Sequence, residues 1–294
     1  MSLQKQKYAL TPSQKMMVFI LSMSLYGLSN MFTELIPSLQ LGPIELSVEY
    51  FAFIPLTLCI LFHPFYGAVG ASLGEVIFGE LMLGQFGGLG ELEKFILFSI
   101  AMYIAGSMVT NPRNRLQVGT AAMLGVAIHQ LLSCMVDIGK VWLGIEELEA
   151  VSGLAESILV IEGVSFITDV LFSGTLFALL PTLYLVPRLY GKIEPLLGMK
   201  PRDASIKYSL GEIVTPRLLV VCIVLACIGT LAEFAAESDM NIGEWESEFL
   251  GQYGDQLIWV SIGLAAVVVL FTIMMMKRRA SKSVSGNGQE NVHG

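Results

Sequence analysis

Residues 51–84 read FAFIPLTLCILFHPFYGAVGASLGEVIFGELMLG, and this stretch decides the fold. It predicts two apolar helices joined by a break at His63-Pro64, since proline is accommodated at a helix start and disfavours the α region in the residue before it. The second helix carries small residues at Gly67, Gly70, Ala71 and Gly74, followed by Glu75. Helices in lipid have no hydrophobic drive to associate, so small residues at close spacing mark where a neighbouring backbone approaches. A carboxylate about halfway across hydrocarbon is costly unless it faces protein, water or a ligand. Tight packing beside a buried carboxylate predicts a membrane bundle with an interior site.

Composition agrees. The chain of 294 residues is 54% hydrophobic and only 14% charged, with a mean hydropathy of +0.69. Soluble domains carry about 25% charged residues, so the balance predicts a polytopic membrane protein. No cleavable signal is expected, because the first apolar segment is as long as a span and no A-x-A site follows it. Cys59, Cys134, Cys222 and Cys227 lie in apolar segments without C-x-x-C spacing, which predicts small core hydrophobes and no disulfide framework.

Outward from the opening stretch, apolar runs place a first span at about 16–36 and a fourth at 95–110. A fifth is expected at 118–138, a sixth at 158–185, a seventh at 217–235 and an eighth at 257–276. Residues 37–50 are too irregular for a helix, and the alternation in IELSVEYF suggests a short strand or extended segment on the surface. The expected organisation is a cytoplasmic tail at 1–15, a six-helix core at 16–190 and a cytoplasmic linker at 191–215. A two-helix hairpin with an acidic outer loop follows at 216–276, then a disordered tail at 277–294. The fold class is thus all-α: a polytopic bundle of about eight transmembrane helices.

Eight spans test orientation, because loop charge must alternate. With the N-terminus inside, only Lys94 and Lys140 of the 17 Lys and Arg fall outside. That obeys the positive-inside rule and predicts cytoplasmic termini in a multi-pass plasma-membrane protein. The acidic residues gather on the outer side, among them Glu45 and Glu49. A solvated loop surface and an entrance that attracts cations both account for this excess.

Glu75, His129 and Asp169 each lie near mid-span. Helical spacing extends them into polar stripes: His129, Ser133 and Asp137; Glu162, Ser165, Asp169 and Ser173; Ser72 with Glu75; and Asn30 with Glu34. If these stripes face inward they line a cavity open to the outside, and Glu34, Glu75, His129, Asp137, Glu162 and Asp169 become candidate substrate-binding residues. Glu45, Glu49 and Tyr50 are candidates for a covering loop. Glu75, His129 and Asp169 are also candidate metal ligands, since carboxylates with imidazole suit a divalent cation. Inter-helical polar contacts are the plainer reading of the same stripes.

Residues 10–190 resemble the substrate-binding S-components of energy-coupling factor (ECF) transporters. The text that carries the resemblance is Glu49-Tyr50-Phe51, Ile54-Pro55-Leu56, His63-Pro64 and the run from Gly67 to Glu75. It implies six helices with both ends cytoplasmic, a long outer loop after the first helix, and capture of a vitamin-like nutrient from outside. It also implies docking on a transmembrane coupling protein driven by two ATPases. Where that family often has an Ala-x-x-x-Ala face on the first helix, this chain offers Ser22, Ser24, Gly27 and Ser29.

The expected function is therefore a non-enzymatic binding subunit for a small, cationic or amine-bearing nutrient, with no cofactor. A divalent-metal subunit, a structural or assembly protein and an intramembrane enzyme are the alternatives. No H-E-x-x-H, G-x-S-x-G or P-loop motif is present, so any ATP use would come from a partner. Basic residues spread along membrane-proximal loops give no support for nucleic-acid binding.

Overall fold

The computed structural model describes residues 10–42, 44–144, 147–148, 151, 154, 156–202, 215–237, 256–271 and 273–274. The expected acidic outer loop at 238–255, the tail at 277–294, residues 203–214 of the linker and the first nine residues lie outside them. The described fold is all-α except for one hairpin, β1 (Leu39–Leu41) paired antiparallel with β2 (Ile44–Leu46).

The helices are α1 (Pro12–Thr33), α2 (Phe53–Leu61), α3 (Pro64–Gly74), α4 (Glu91–Met108), α5 (Arg115–Leu143), α6 (Ile158–Leu189), α7 (Pro216–Glu237) and α8 (Gln256–Phe271). Their ends follow local chemistry. Thr11 and Gln14 cap α1 reciprocally with Pro12 at its first turn, and the Asn114 side chain accepts from the Leu116 and Gln117 amides at the start of α5. Gly144, at φ +71°, closes α5 in the left-handed conformation that glycine adopts without penalty. Among the described residues three helices, α1, α5 and α6, are long and apolar enough to cross a membrane.

The small-residue ladder of α3 lies against α1. A Cβ built on Gly70 would stand 2.4 Å from the Phe19 carbonyl oxygen, and one on Gly74 only 2.2 Å from that of Met23. From the other side, a Cβ on Gly27 would meet the Gly74 oxygen at 2.5 Å. The buried Ser22 hydroxyl donates to the Gly67 carbonyl at 2.6 Å, so the small-residue face of α1 is engaged inside the bundle. Ala71 sits in the core with Tyr26, Phe98, Met102 and Ala105.

Two expectations about spans need correction. The second was read as a full crossing, but α2 has 9 residues, about 14 Å at 1.5 Å per residue against a hydrocarbon core of about 30 Å. It stops because His63 is extended and Pro64 starts α3; before it, Tyr50, Phe51 and Ala52 are buried in non-helical backbone. The second correction concerns helix type. Glu75–Leu81 continues α3 as a π-helix, and Asp169–Leu179 is a π segment within α6. Both begin on a carboxylate, Glu75 and Asp169. Hydrogen bonds to i+5 turn each following residue away from its α-helical face, and such segments are frequent at functional sites.

The end of the bundle nearest His63 is strapped by the chain that follows α6. Gln14 Nε2 donates to the Gly198 carbonyl at 2.6 Å, and Met199 packs with Val18, Leu58 and Phe62. His63 itself caps α3, its Nδ1 accepting from the Phe65 amide at 3.2 Å. Burial, with Arg202 and Lys15 nearby, pushes the imidazole from 6.5 down to about 4. The unfolded chain therefore takes up this proton first as pH drops below about 6.5. His63 thus withdraws stability between about 6.5 and 4 and has little effect above that window. Thermal unfolding of purified protein should show this loss, and His63→Asn, which can still cap but does not titrate, should reduce it; an unchanged pH slope in the variant refutes the assignment.

The last two helices pack on the six-helix core. Gly229 of α7 lies against Glu93 of α4, where an added Cβ would be 3.1 Å from the Glu93 Cα. Ala265 of α8 joins Phe51 and Phe177, and Phe271 meets the Tyr184 ring edge-on at 5.1 Å.

Candidate functional site

A cavity of about 240 Å³ opens between the hairpin, the chain after α5 and the first half of α6. The hairpin and the residues after it contribute Gln40, Glu45, Ser47 and Glu49; Val151 and Leu154 form one wall. Ile161, Val164, Ser165, Thr168 and Asp169 of α6 form the other. Among the described residues, three carboxylates line it and no lysine or arginine does. Gln40 Nε2 donates to Glu45 at 2.7 Å, and the Ser47 hydroxyl donates to Glu49, which fixes both acidic side chains on the covering segment. Glu49 and Glu45 are the charged groups that act most strongly on Asp169, and the Gln130 amide hydrogen-bonds it.

Beneath the cavity runs a narrower cleft lined by Glu49, Tyr50, Ala52, Val126, Gln130, Asp169, Ser173 and Gly174. Glu49 and Asp169 belong to both spaces. Ser165, Asp169 and Ser173 thus share the open side of α6, whereas Glu162 is absent from either lining. The floor is a cluster of rings. Tyr26 stacks on Phe98 at 4.9 Å, Tyr50 meets Phe98 edge-on at 5.4 Å, and His129 meets both edge-on. The Tyr50 hydroxyl and His129 Nδ1 are 3.0 Å apart.

The chain belongs to the family of unknown function DUF8171. The match covers residues 17–285, from α1 through α8, so the two C-terminal helices belong to the family pattern along with the first six. No curated protein and no solved structure matches the chain.

Other candidates of this DUF8171 chain lie elsewhere. Glu34 and Glu75 face a separate group of charges around Lys94, whose Nζ is 2.9 Å from Glu80 and 3.4 Å from Glu91. Asn30 donates to Glu34 at 3.2 Å, and Gly79 leaves room for Asn30, since a Cβ there would meet its Nδ2 at 2.8 Å. One Glu75 oxygen is buried without a hydrogen-bond partner, and Glu75 acts more strongly than any other charge on the buried Tyr26. Asp137 pairs with Lys140 at 3.7 Å on α5.

Two expectations are thereby corrected. Glu75 is not among the residues that line this cavity; it abuts the Tyr26 and Lys94 surroundings, and Asp169 is the candidate carboxylate that lines the cavity. The candidate metal ligands Glu75, His129 and Asp169 are also not brought together: among the described residues no group of three or more His, Cys, Asp or Glu is arranged to hold an ion, and His129 lies among rings. Its imidazole is packed among Tyr50 and Phe98, and Gln130, its neighbour in sequence, reaches Asp169 instead. Gln40, Ser47, Thr168 and Gln130 were not singled out in sequence, because lone neutral polar residues give no periodic signal.

Proposed function

We propose that this chain is a membrane-embedded, non-enzymatic binding subunit that captures a small cationic or amine-bearing nutrient from the outer side. The observation that carries this reading is the cavity lined by Glu45, Glu49 and Asp169, with no basic side chain among the described residues of its lining. Like charges gathered at low dielectric repel, and a cation bound among them removes that repulsion. Its volume corresponds to about eight waters of bulk liquid, which sets a small ligand. Hydroxyls from Ser47, Ser165 and Thr168 supply acceptors for an ammonium, and Val151, Leu154, Ile161 and Val164 supply an apolar wall.

In this reading both termini are cytoplasmic and the chain crosses the plasma membrane eight times, as the charge alternation supports. The second crossing is then composite: non-helical residues 47–52 cover the outer half and α2 the inner half. Non-helical backbone at membrane depth is tolerated where it is buried in protein or lines a cavity, and this segment does both. Helices α7 and α8 expose apolar side chains such as Val220, Ile223, Val260 and Val267 to lipid. Transport would be completed by a transmembrane coupling protein and two ATPases, in line with the S-component resemblance.

Thermal unfolding of the purified full chain against a panel of small amines, and of carboxylic acids of matching size, tests the reading. A binder at about one hundred times its Kd adds about 2.7 kcal/mol, so Tm should rise by roughly 5 °C for at least one amine. No shift with any amine, or equal shifts with the acids, would refute it.

A further inference from the structure

The proposed function uses the outer cavity and leaves Arg202 unexplained. Arg202 follows α6 in the chain, yet its side chain is only 6% exposed at the far end of α2 from the cavity. Its Nη1 donates to the carbonyls of Gly106 at 3.1 Å and Val109 at 2.8 Å, and its Nη2 donates to that of Cys59 at 2.6 Å. Cys59 lies in the last turn of α2, Gly106 in the last turn of α4, and Val109 is the C-cap of α4. Carbonyls at helix C-termini lack intrahelical donors and carry partial negative charge. One planar guanidinium with its fixed fork of donors satisfies both helix ends together, which an ammonium on a flexible stem cannot reproduce.

The surroundings hold the guanidinium there. The Tyr190 hydroxyl donates to the Arg202 carbonyl, and the fully buried Glu194 accepts from the Gly191 amide at 2.8 Å. Cys59 is wedged at the same level. A Cβ on Gly106 would lie 2.5 Å from the Cys59 Cβ, and one on Gly67 would lie 2.9 Å from its sulfur. Helices α3 and α4 therefore both pack closely on α2 at Cys59, the residue whose carbonyl Arg202 holds together with the end of α4. The other end of α2 runs directly into the extended residues whose Ser47 and Glu49 line the cavity. This short helix thus follows the cavity-lining segment at one end and is held by Arg202 at the other.

We propose that Arg202 is the inner latch of the binding subunit: its guanidinium keeps α2 and α4 together on the cytoplasmic side, and its withdrawal frees α2 to open the bundle inward. The latch gives the outer cavity a closed inner end, and in this it rests on the outward-binding reading. Release of a captured ligand to the cytoplasm then requires the segment from Tyr190 to Arg202 to lift from the helix ends.

Cys59 reports the latch without any ligand, being fully buried with its thiol directed at the Pro64 carbonyl. The full chain in inside-out vesicles is treated with N-ethylmaleimide, and the alkylation rate of each cysteine is read by mass spectrometry. Wild-type Cys59 should react slowly. Arg202→Ala should raise its rate roughly tenfold or more, the opening expected from losing a charge-assisted hydrogen bond, with no parallel rise at Cys134. Tyr190→Phe, which keeps the guanidinium and loosens its strap, should give a smaller rise at Cys59 alone. An unchanged Cys59 rate in both variants, or a rise that Cys134 matches, would overturn the latch. Because no ligand enters the assay, its outcome is independent of the amine panel.

Discussion

Replacing Gly70 and Gly74 together by alanine is expected to destroy the folded bundle while leaving insertion intact. Each new methyl would stand within 2.4 Å of a backbone oxygen of α1, which cannot swing aside as a side chain would. Helix α1 would have to back away along its length. That would stretch the 2.6 Å bond from Ser22 to Gly67 and unseat Asn30 from Gly79. Overpacking costs about 1–3 kcal/mol per site, and the two sites press on one helix, so a combined loss of about 3 kcal/mol or more is expected. The double variant should aggregate on detergent extraction or unfold far below the parent in a thermal melt. Gly139→Ala and Gly163→Ala serve as contrasts, since an added Cβ meets nothing within 4 Å at either helical position. There the ordinary helix preference for alanine should leave Tm equal or slightly raised. A double variant as stable as the parent would refute the close packing of α1 on α3.

That packing was legible in the sequence because it rests on backbone sterics: small residues at 67, 70, 71 and 74 have one physical reading in an apolar helix. The break at His63-Pro64 was legible for the same reason, whereas α1 starts four residues before the expected 16 and α5 ends five residues after the expected 138. What escaped were features set by tertiary packing. Residues 75–81 and 169–179 carry no residue type that marks a π-helix, so the side on which Glu75 would emerge was misjudged. On α5, adjacent residues point about 100° apart, and the ionisable His129 drew attention while Gln130 faces Asp169. Arg202 was counted with the basic residues that orient the chain. Nothing in its flanking residues shows that it folds back to cap two helices, because those contacts are long-range.

The second large effect concerns Asp169, the carboxylate shared by the cavity and the cleft below it. Asp169→Asn keeps size and hydrogen-bonding capacity toward Gln130 while removing one of three negative charges from the lining. Losing the charge partner of a desolvated cation costs about 2–5 kcal/mol, or roughly 30-fold or more in affinity. Glu49→Gln should weaken binding as well, and Glu75→Gln, outside the cavity, should leave it nearly unchanged. Native mass spectrometry of gently extracted full chain is the most direct test of the binding site. The wild-type protein should retain a small cationic or amine-bearing molecule, and Asp169→Asn should lose it. A bound molecule retained equally by Asp169→Asn, or an anionic one in its place, would contradict the site.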